Sequence, residues 1–456
     1  MNKEENNPSK CPICGRPTHK ESKYCIFHAS AEEKTEEEFK KALKEYIEKI
    51  EENNLDYNFL EFIFVGKIDF KEEFKLNTFK DVNFMKTTFE DEVTFRNTTF
   101  EGNTSFNWAT FKSYVRFLDT TFKSYVSFDD TIFKKYVDFG GTTFEGVAGF
   151  INVTFNDDAL FEDAIFKGEA SFEKAIFKKN VHFSWAKFPP GKLLSLTVKG
   201  RGNIFFEQTF LEDIILNLEL GKETFIDFKN ATLRNTRIKL EEIGGHILHE
   251  HEKIFPDAKE IYLLLKNNFH SIGKYEEESW AFKKEKDMER LSYSFYSFKK
   301  DLVKKKKREI FPILKWMYTK DFKKWIISVF SNMIYGYGER PWNVVKTALA
   351  IIIIFALSFS LIGIGTPEII ELKVTGIYQN SGNIVDLASK GFLKNNEIRN
   401  FPDCLYFSLI TFTTLGYGDF RPLGGLGRIL AGSEAFLGAI MMALFVYTFA
   451  RRTGGR

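Results

Sequence analysis

Through the first half of the chain, polar and apolar residues alternate on a fixed beat; towards the end of the chain that beat gives way to long apolar runs. Phe occupies 22 positions between Phe74 and Phe188, and from Phe89 the gaps alternate six and five. The repeating unit is therefore eleven residues. One series runs Phe89, Phe100, Phe111 and on to Phe188, and the other Phe84, Phe95, Phe106 and on to Phe183. Two positions before each of these 20 Phe stands Val, Thr or Ala, as in Val115 before Phe117, Thr120 before Phe122 and Ala164 before Phe166. Residues two apart on a strand share a face, so each unit buries one small and one large side chain. Neither five nor eleven fits a helical period of about 3.6, and such self-similarity signals a solenoid. After an irregular stretch the beat resumes at Ile226/Phe228, Ala231/Leu233 and Thr236/Ile238, extending the predicted β-helix over 54–243.

The apolar runs are of another kind. Residues 347–364 carry no charge, and residues 429–450 carry one, Glu434. Each can cross about 30 Å of hydrocarbon as a helix, and their late position argues against a signal peptide. Between them, Pro402 opens a short aromatic segment over 403–412 that suits a re-entrant helix. Lys304–Lys307 and Arg308 precede the first span, and Arg451, Arg452 and Arg456 follow the second. Basic flanks place both ends in the cytoplasm of a cell-membrane protein and 366–400 outside as a turret. Lys346 can snorkel to the interface.

Between the short helix and the second span, residues 413–419 read Thr-Thr-Leu-Gly-Tyr-Gly-Asp. The string resembles the selectivity filter of potassium channels, whose carbonyl rings replace the hydration shell of K⁺. Gly416 and Gly418 can adopt backbone angles closed to other residues. The resemblance makes Thr414, Leu415, Gly416, Tyr417 and Gly418 the filter, with the Thr414 hydroxyl as a further ligand and Tyr417 as a brace. Asp419 places negative charge at the outer mouth. Leu415 departs from the commoner Val or Ile. The order span, short helix, glycine loop, span resembles a two-transmembrane potassium-channel pore over about 341–452. That pore implies a homotetramer, since one chain supplies one filter loop. Gly438 matches a hinge glycine by resemblance; close helix packing is the alternative. Glu434 is expected to turn toward Ser408 or Thr411 and steady the filter, because an intramembrane carboxylate is a functional-site hypothesis.

The repeats resemble pentapeptide-repeat proteins, which implies a right-handed quadrilateral β-helix in which two eleven-residue units make one four-sided coil, with about five coils over residues 74–188 stacked roughly 4.8 Å apart. Together with the string Tyr337-Gly338-Glu339-Arg340-Pro341-Trp342 before the first span, the chain resembles pentapeptide-repeat ion channels. Some pentapeptide-repeat proteins mimic DNA with an acidic surface, but here Lys112, Lys123, Lys134, Lys135, Lys178 and Lys179 interrupt the acids. No nucleic-acid partner is expected.

Cys11, Cys14, Cys25 and His28 follow C-x2-C-x10-C-x2-H, with Gly15 at a tight turn. Two close pairs suit a tetrahedral, structural Zn²⁺, with His19 as a fallback ligand. Cys404 is expected to pack. His246, His249 and His251 cluster in one loop, where solvation is expected and metal or pH sensing is the alternative.

Phe39, Ala42, Leu43, Tyr46, Ile47 and Ile50 mark an amphipathic helix that caps the β-helix or pairs with another subunit. The predicted order is a zinc-binding module (1–30), that helix (31–53), the β-helix (54–243), a helical linker (244–310) and a juxtamembrane interfacial segment (311–342). Then come the first span (343–365), turret (366–400), pore helix and filter (401–427), second span (428–450) and basic tail (451–456). The net charge of +2 excludes little. No nucleophile, general base or open metal site suggests an enzyme. The expected function is passive K⁺ flux across a lipid bilayer, gated or scaffolded through the repeat domain by an unknown cytoplasmic ligand or protein. A weakly selective cation channel and a membrane-anchored scaffold are the alternatives.

Overall fold

A computed structural model describes residues 10–304, 311–365 and 399–454. Most of the expected turret, the basic run beyond Lys304 and Arg456 lie outside the described residues. The chain divides into two compact units, Met1–Glu289 and Arg290–Arg456.

The first unit is a β-solenoid with four sides, formed by parallel sheets of six, eight, eight and five strands. Strands one coil apart pair in register, as Thr110 with Ile132, Val115 with Val137, Thr121 with Thr143 and Val126 with Ala148. Each pair is 22 residues apart, two eleven-residue units. Phe rings stack along the axis at the strand spacing: Phe84 to Phe106 is 4.8 Å, Phe106 to Phe128 4.9 Å and Phe155 to Phe177 4.7 Å. Offset stacking adds to the area these rings bury. The small residue before each Phe is also buried; the hydroxyls of Thr87, Thr120, Thr131 and Thr142 donate to a Phe carbonyl of the preceding coil, as Thr131 to Phe106 and Thr142 to Phe117, both 2.7 Å.

The alternating gaps have a backbone cause. Left-handed residues recur every eleventh position, at Asn97, Trp108, Asp119, Asp130, Gly141, Asn152 and Asp163. Each falls within a five-residue gap, so that corner turns sharply, while the six-residue gaps round their corners with one more residue. Asn, Asp and Gly accept this conformation most readily. Outside, lysine and acid side chains pair from coil to coil, as Lys112 with Glu90 and Lys123 with Glu101, both 2.8 Å.

The irregular stretch is part of the ladder. Leu193–Val198 and Ile215–Leu220 are six-residue strands paired 22 residues apart. Leu and Ile replace Phe there, so the coil continues while its Phe signal fades. The last strand of the solenoid is Thr232–Arg234, and residues Leu240–Ile243, expected within the β-helix, form a helical turn (α3, after α1 at Glu36–Glu52 and α2 at Phe70–Phe74).

Both ends of the solenoid are covered. At the first coil, α1 begins in a capping box between Thr35 and Glu38 and lays Phe39 against Phe64 and Tyr46 against Phe59 and Phe62. At the last, α4 (Leu248–His251) and α5 (Phe255–Ser271) pack on the open edge. Asn268 takes the place of a next strand: its Oδ1 accepts from Thr236 N at 2.9 Å and its Nδ2 donates to Thr236 O at 2.8 Å. The histidine cluster is not a solvated loop. His249 is buried on α4 between Asp227 (3.4 Å) and Asp257 (3.6 Å), His251 stacks on Phe225, and His246 meets the Thr224 carbonyl. Each ring thus has its own partner. Helix α6 (Tyr275–Ser292) follows the left-handed Gly273.

In the second unit, α7 (Phe295–Lys304), α8 (Pro312–Met317) and α9 (Lys320–Tyr335) lead into α10 (Pro341–Ile362). Trp316 turns inward, its Nε1 donating to Tyr293 O at 3.0 Å and its ring lying among Phe295, Phe322 and Trp325. Ile327, Phe330 and Met333 face outward instead. Helix α11 (Phe401–Phe412) and helix α12 (Gly424–Gly454) complete the unit. Helices α10 and α12 are each long and apolar enough to cross a membrane.

Candidate ion-conduction site and metal site

Helix α11 starts where Asn400 Oδ1 accepts from Asp403 N at 2.9 Å, with Pro402 in its first turn. Its inner face packs Cys404, Phe407 and Ile410 against Phe359 and Ile364 of the α10 end, with Phe359 and Phe407 edge to face at 4.9 Å. Cys404 is therefore a core residue. The helix ends at the glycine loop, and its terminal carbonyls hold the loop's start: Leu415 N donates to Ile410 O at 3.0 Å and Gly416 N to the same oxygen at 3.4 Å. The negative end of the α11 dipole thus adjoins the loop, which favours cations there.

Along the loop every second residue has positive φ: Thr414 at 58°, Gly416 at 51° and Gly418 at 83°. In an extended chain successive carbonyls point to opposite sides; left-handed residues at alternate positions bring them toward one side. Thr414 takes this conformation without being glycine, a strain typical of functional backbone, and nothing in the residue types announces it. Its hydroxyl donates to Thr413 O at 2.7 Å. Beyond the loop, Arg421–Pro422 pair antiparallel with Ile364–Gly365, tying the outer end of the loop to the end of α10. The Asp419 carboxylate accepts from Phe420 N at 3.2 Å, and the Phe420 ring lies edge to face with Tyr406 of α11. Leu415 and Tyr417 stand 60% and 69% exposed in a single chain.

Helix α12 meets α10 and α11 through Glu434, Gly438 and Met441, all buried. Glu434 shares a hydrogen bond with Ser408, and the Ser408 hydroxyl lies 2.9 Å from the Ile352 carbonyl of α10. One side chain of α12 thus links to both other helices. Gly438 faces the last turn of α11, where the Phe412 carbonyl oxygen occupies the place of a β-carbon. That close approach gives Gly438 a packing reason independent of any hinge, and α12 passes through it as one continuous helix.

In the first unit, Cys11, Cys14, Cys25 and His28 bring their ligand atoms within 4.8 Å of one another. Cys14 Sγ and Cys25 Sγ are 3.5 Å apart, and His28 Nδ1 is 3.5 Å from Cys11 Sγ and 3.2 Å from Cys25 Sγ. A tetrahedral Zn²⁺ with bonds of about 2.0–2.3 Å needs donor separations of roughly 3.3–3.8 Å, so the set fits. His28 Nε2 lies 3.0 Å from Leu60 O. That carbonyl can only accept, so the proton sits on Nε2 and leaves Nδ1 free to ligate, as in metal-bound histidines. The left-handed Gly15 follows Cys14, and its N–H donates to Cys11 O at 2.8 Å. His19 faces Glu38 instead, outside the set.

Two families match the sequence: one described as "Ion channel" over residues 374–454, and one described as "Pentapeptide repeats (9 copies)" over 84–132 and 139–186. Protein LctB of Geobacillus stearothermophilus is 40% identical over 70 residues, 15% of this chain and 52% of LctB. The calcium-gated potassium channel TvoK of Thermoplasma volcanium is 30% identical over 76 residues, 16% of this chain and 22% of TvoK. The human potassium voltage-gated channel subfamily KQT member 4 is 43% identical over 61 residues, 13% of this chain and 8% of that protein. The chain thus spans about half of the first relative and under a quarter of the other two. No solved structure matches. The chain joins an N-terminal β-solenoid whose coils match pentapeptide repeats to a C-terminal region that matches an ion-channel domain and holds two helices long and apolar enough to cross a membrane.

Proposed function

We propose that four copies of this chain assemble around residues 414–418 into a potassium-selective pore in the cell membrane. The observation that carries this reading is the alternation of positive φ at Thr414, Gly416 and Gly418, directly after a helix whose C-terminus adjoins the loop. Four such loops supply rings of inward carbonyls that replace the water around K⁺. The exposed Leu415 and Tyr417 side chains then pack against the wall of the assembled pore. Asp419, directly after the loop, gathers cations at the outer mouth. Glu434 steadies the pore helix through Ser408, while α10 and α12 cross the bilayer with the chain's two ends in the cytoplasm. In the repeat unit, Cys11, Cys14, Cys25 and His28 hold one structural Zn²⁺, which supplies fold stability where four protein ligands leave no site for catalysis. The solenoid responds to a cytoplasmic ligand or protein and biases the gate; gating requires that this partner bind the open and closed states unequally. The test is a bi-ionic reversal potential in planar bilayers containing the reconstituted protein. A strongly K⁺-favouring value supports the reading, and near-equal K⁺ and Na⁺ permeability contradicts it.

A further inference from the structure

The junction before α10 is built from three successive left-handed residues, Gly336 (φ 56°), Tyr337 (φ 57°) and Gly338 (φ 94°). A non-glycine residue in this region costs free energy and persists only where its surroundings hold it. Tyr337 is buried, and its hydroxyl lies 3.0 Å from Ser328 Oγ on α9. The tight turn points the Tyr337 carbonyl at the last turn of α12. There, Arg451 Nη1 donates to Tyr337 O at 3.3 Å, and Arg451 Nε lies 3.2 Å from Glu339 Oε1. The same guanidinium meets the Tyr447 hydroxyl at 3.5 Å. Gly338 is where this side chain passes closest: a β-carbon there would stand 3.2 Å from both Cδ and Nη1 of Arg451. The Glu339 side chain is 14% exposed and that of Arg451 33%, so the pair is more sheltered than an ordinary surface ion pair.

The electrostatics favour this arrangement twice over. Glu339 precedes the N-terminus of α10, where a negative charge is stabilised, and Arg451 sits at the C-terminal end of α12, where a positive charge is. Joined to each other, the two residues fix the inner end of one membrane helix to the start of the other.

We propose that Glu339 and Arg451 form a clamp that holds α12 in its continuous form and that must release for the pore to open. The proposal rests on the channel reading above. A bend of α12 near Gly438 would carry Arg451 away from the junction together with Tyr447, four residues before it on the same helix, so it would break the ion pair to Glu339 and the hydrogen bond to Tyr337 O together. Glu339 is thus a positioning residue: it touches no permeating ion and acts through the end of α12.

The test uses full-length protein in liposomes, with Glu339→Gln, Arg451→Gln and the exchanged pair Glu339→Arg/Arg451→Glu. Amide hydrogen exchange over residues 334–341 reads the clamp whether or not the protein conducts, and single-channel open probability reads its effect on the gate. Each single variant should exchange faster at the junction and open about fivefold more often, as expected for the loss of a partly sheltered pair. The exchanged pair should recover toward wild type in both, while the K⁺/Na⁺ reversal potential stays unchanged in all three. Unchanged exchange in the single variants would overturn the clamp. Faster exchange with an unaltered or lower open probability would overturn its role in gating. A wild-type protein that carries no K⁺ current would sink the channel reading, with the exchange data still deciding the contact.

Discussion

Gly438 of α12 lies against the carbonyl of Phe412, the last residue of α11, with no room between them for a β-carbon. Helix α11 ends against α12 at this glycine, so the position of the glycine loop depends on this approach. Gly438→Ala should therefore destabilise the assembly by about 1–3 kcal/mol, the usual cost of overpacking. The measurement is the melting temperature of the purified protein in detergent. An unaltered melting temperature with reduced opening would show that Gly438 serves as a hinge instead.

Ser408 carries one hydroxyl proton and stands between two partners, the Ile352 carbonyl and Glu434. The carbonyl can only accept, so a side chain able to donate serves best at position 434. Glu434→Gln should keep the K⁺/Na⁺ permeability ratio and the rate of filter inactivation near wild type. Glu434→Ala leaves Ser408 short of a partner at a cost of about 1–3 kcal/mol; it should speed inactivation and lower the permeability ratio. Wild-type behaviour of the alanine variant would remove Glu434 from filter support.

Metal analysis of the purified chain should find one zinc per subunit. His28→Ala should lower that figure and the melting temperature together, because metal binding and folding are linked. Full zinc occupancy in His28→Ala would place the fourth ligand elsewhere.

The start of α1 gives a pH signature. The Lys20 ammonium beside Glu38, together with the Thr35 N–H, lowers the Glu38 carboxyl to about 2. Its folded value is depressed, so its contribution to stability is present above the unfolded value of about 4.3 and is lost as pH falls toward 2. Glu38→Gln should melt below wild type at neutral pH, with the difference closing over that acidic interval. A difference independent of pH would contradict the assignment.

The sequence carried the coil clearly because Phe recurs on both eleven-residue series, and stacking rings require that register. It concealed Leu193–Val198 and Ile215–Leu220, where aliphatic side chains fill the same positions without marking them. Glu434 near Ser408 could be anticipated from helical spacing and from the cost of a charge in an apolar run. The packing of Gly438, the left-handed Thr414 and the burial of His249 could not, since each depends on what another element brings close. Arg451 looked like an inner flank that orients the span; its pairing with Glu339 joins residues more than a hundred positions apart.

The most direct test of the central claim is the bi-ionic reversal potential of the reconstituted wild-type protein, with K⁺ on one side of the bilayer and Na⁺ on the other. The carbonyl-lined loop at 414–418 predicts a potential displaced strongly toward that of a K⁺-selective membrane. A reversal potential near zero, or no current at all, would contradict it.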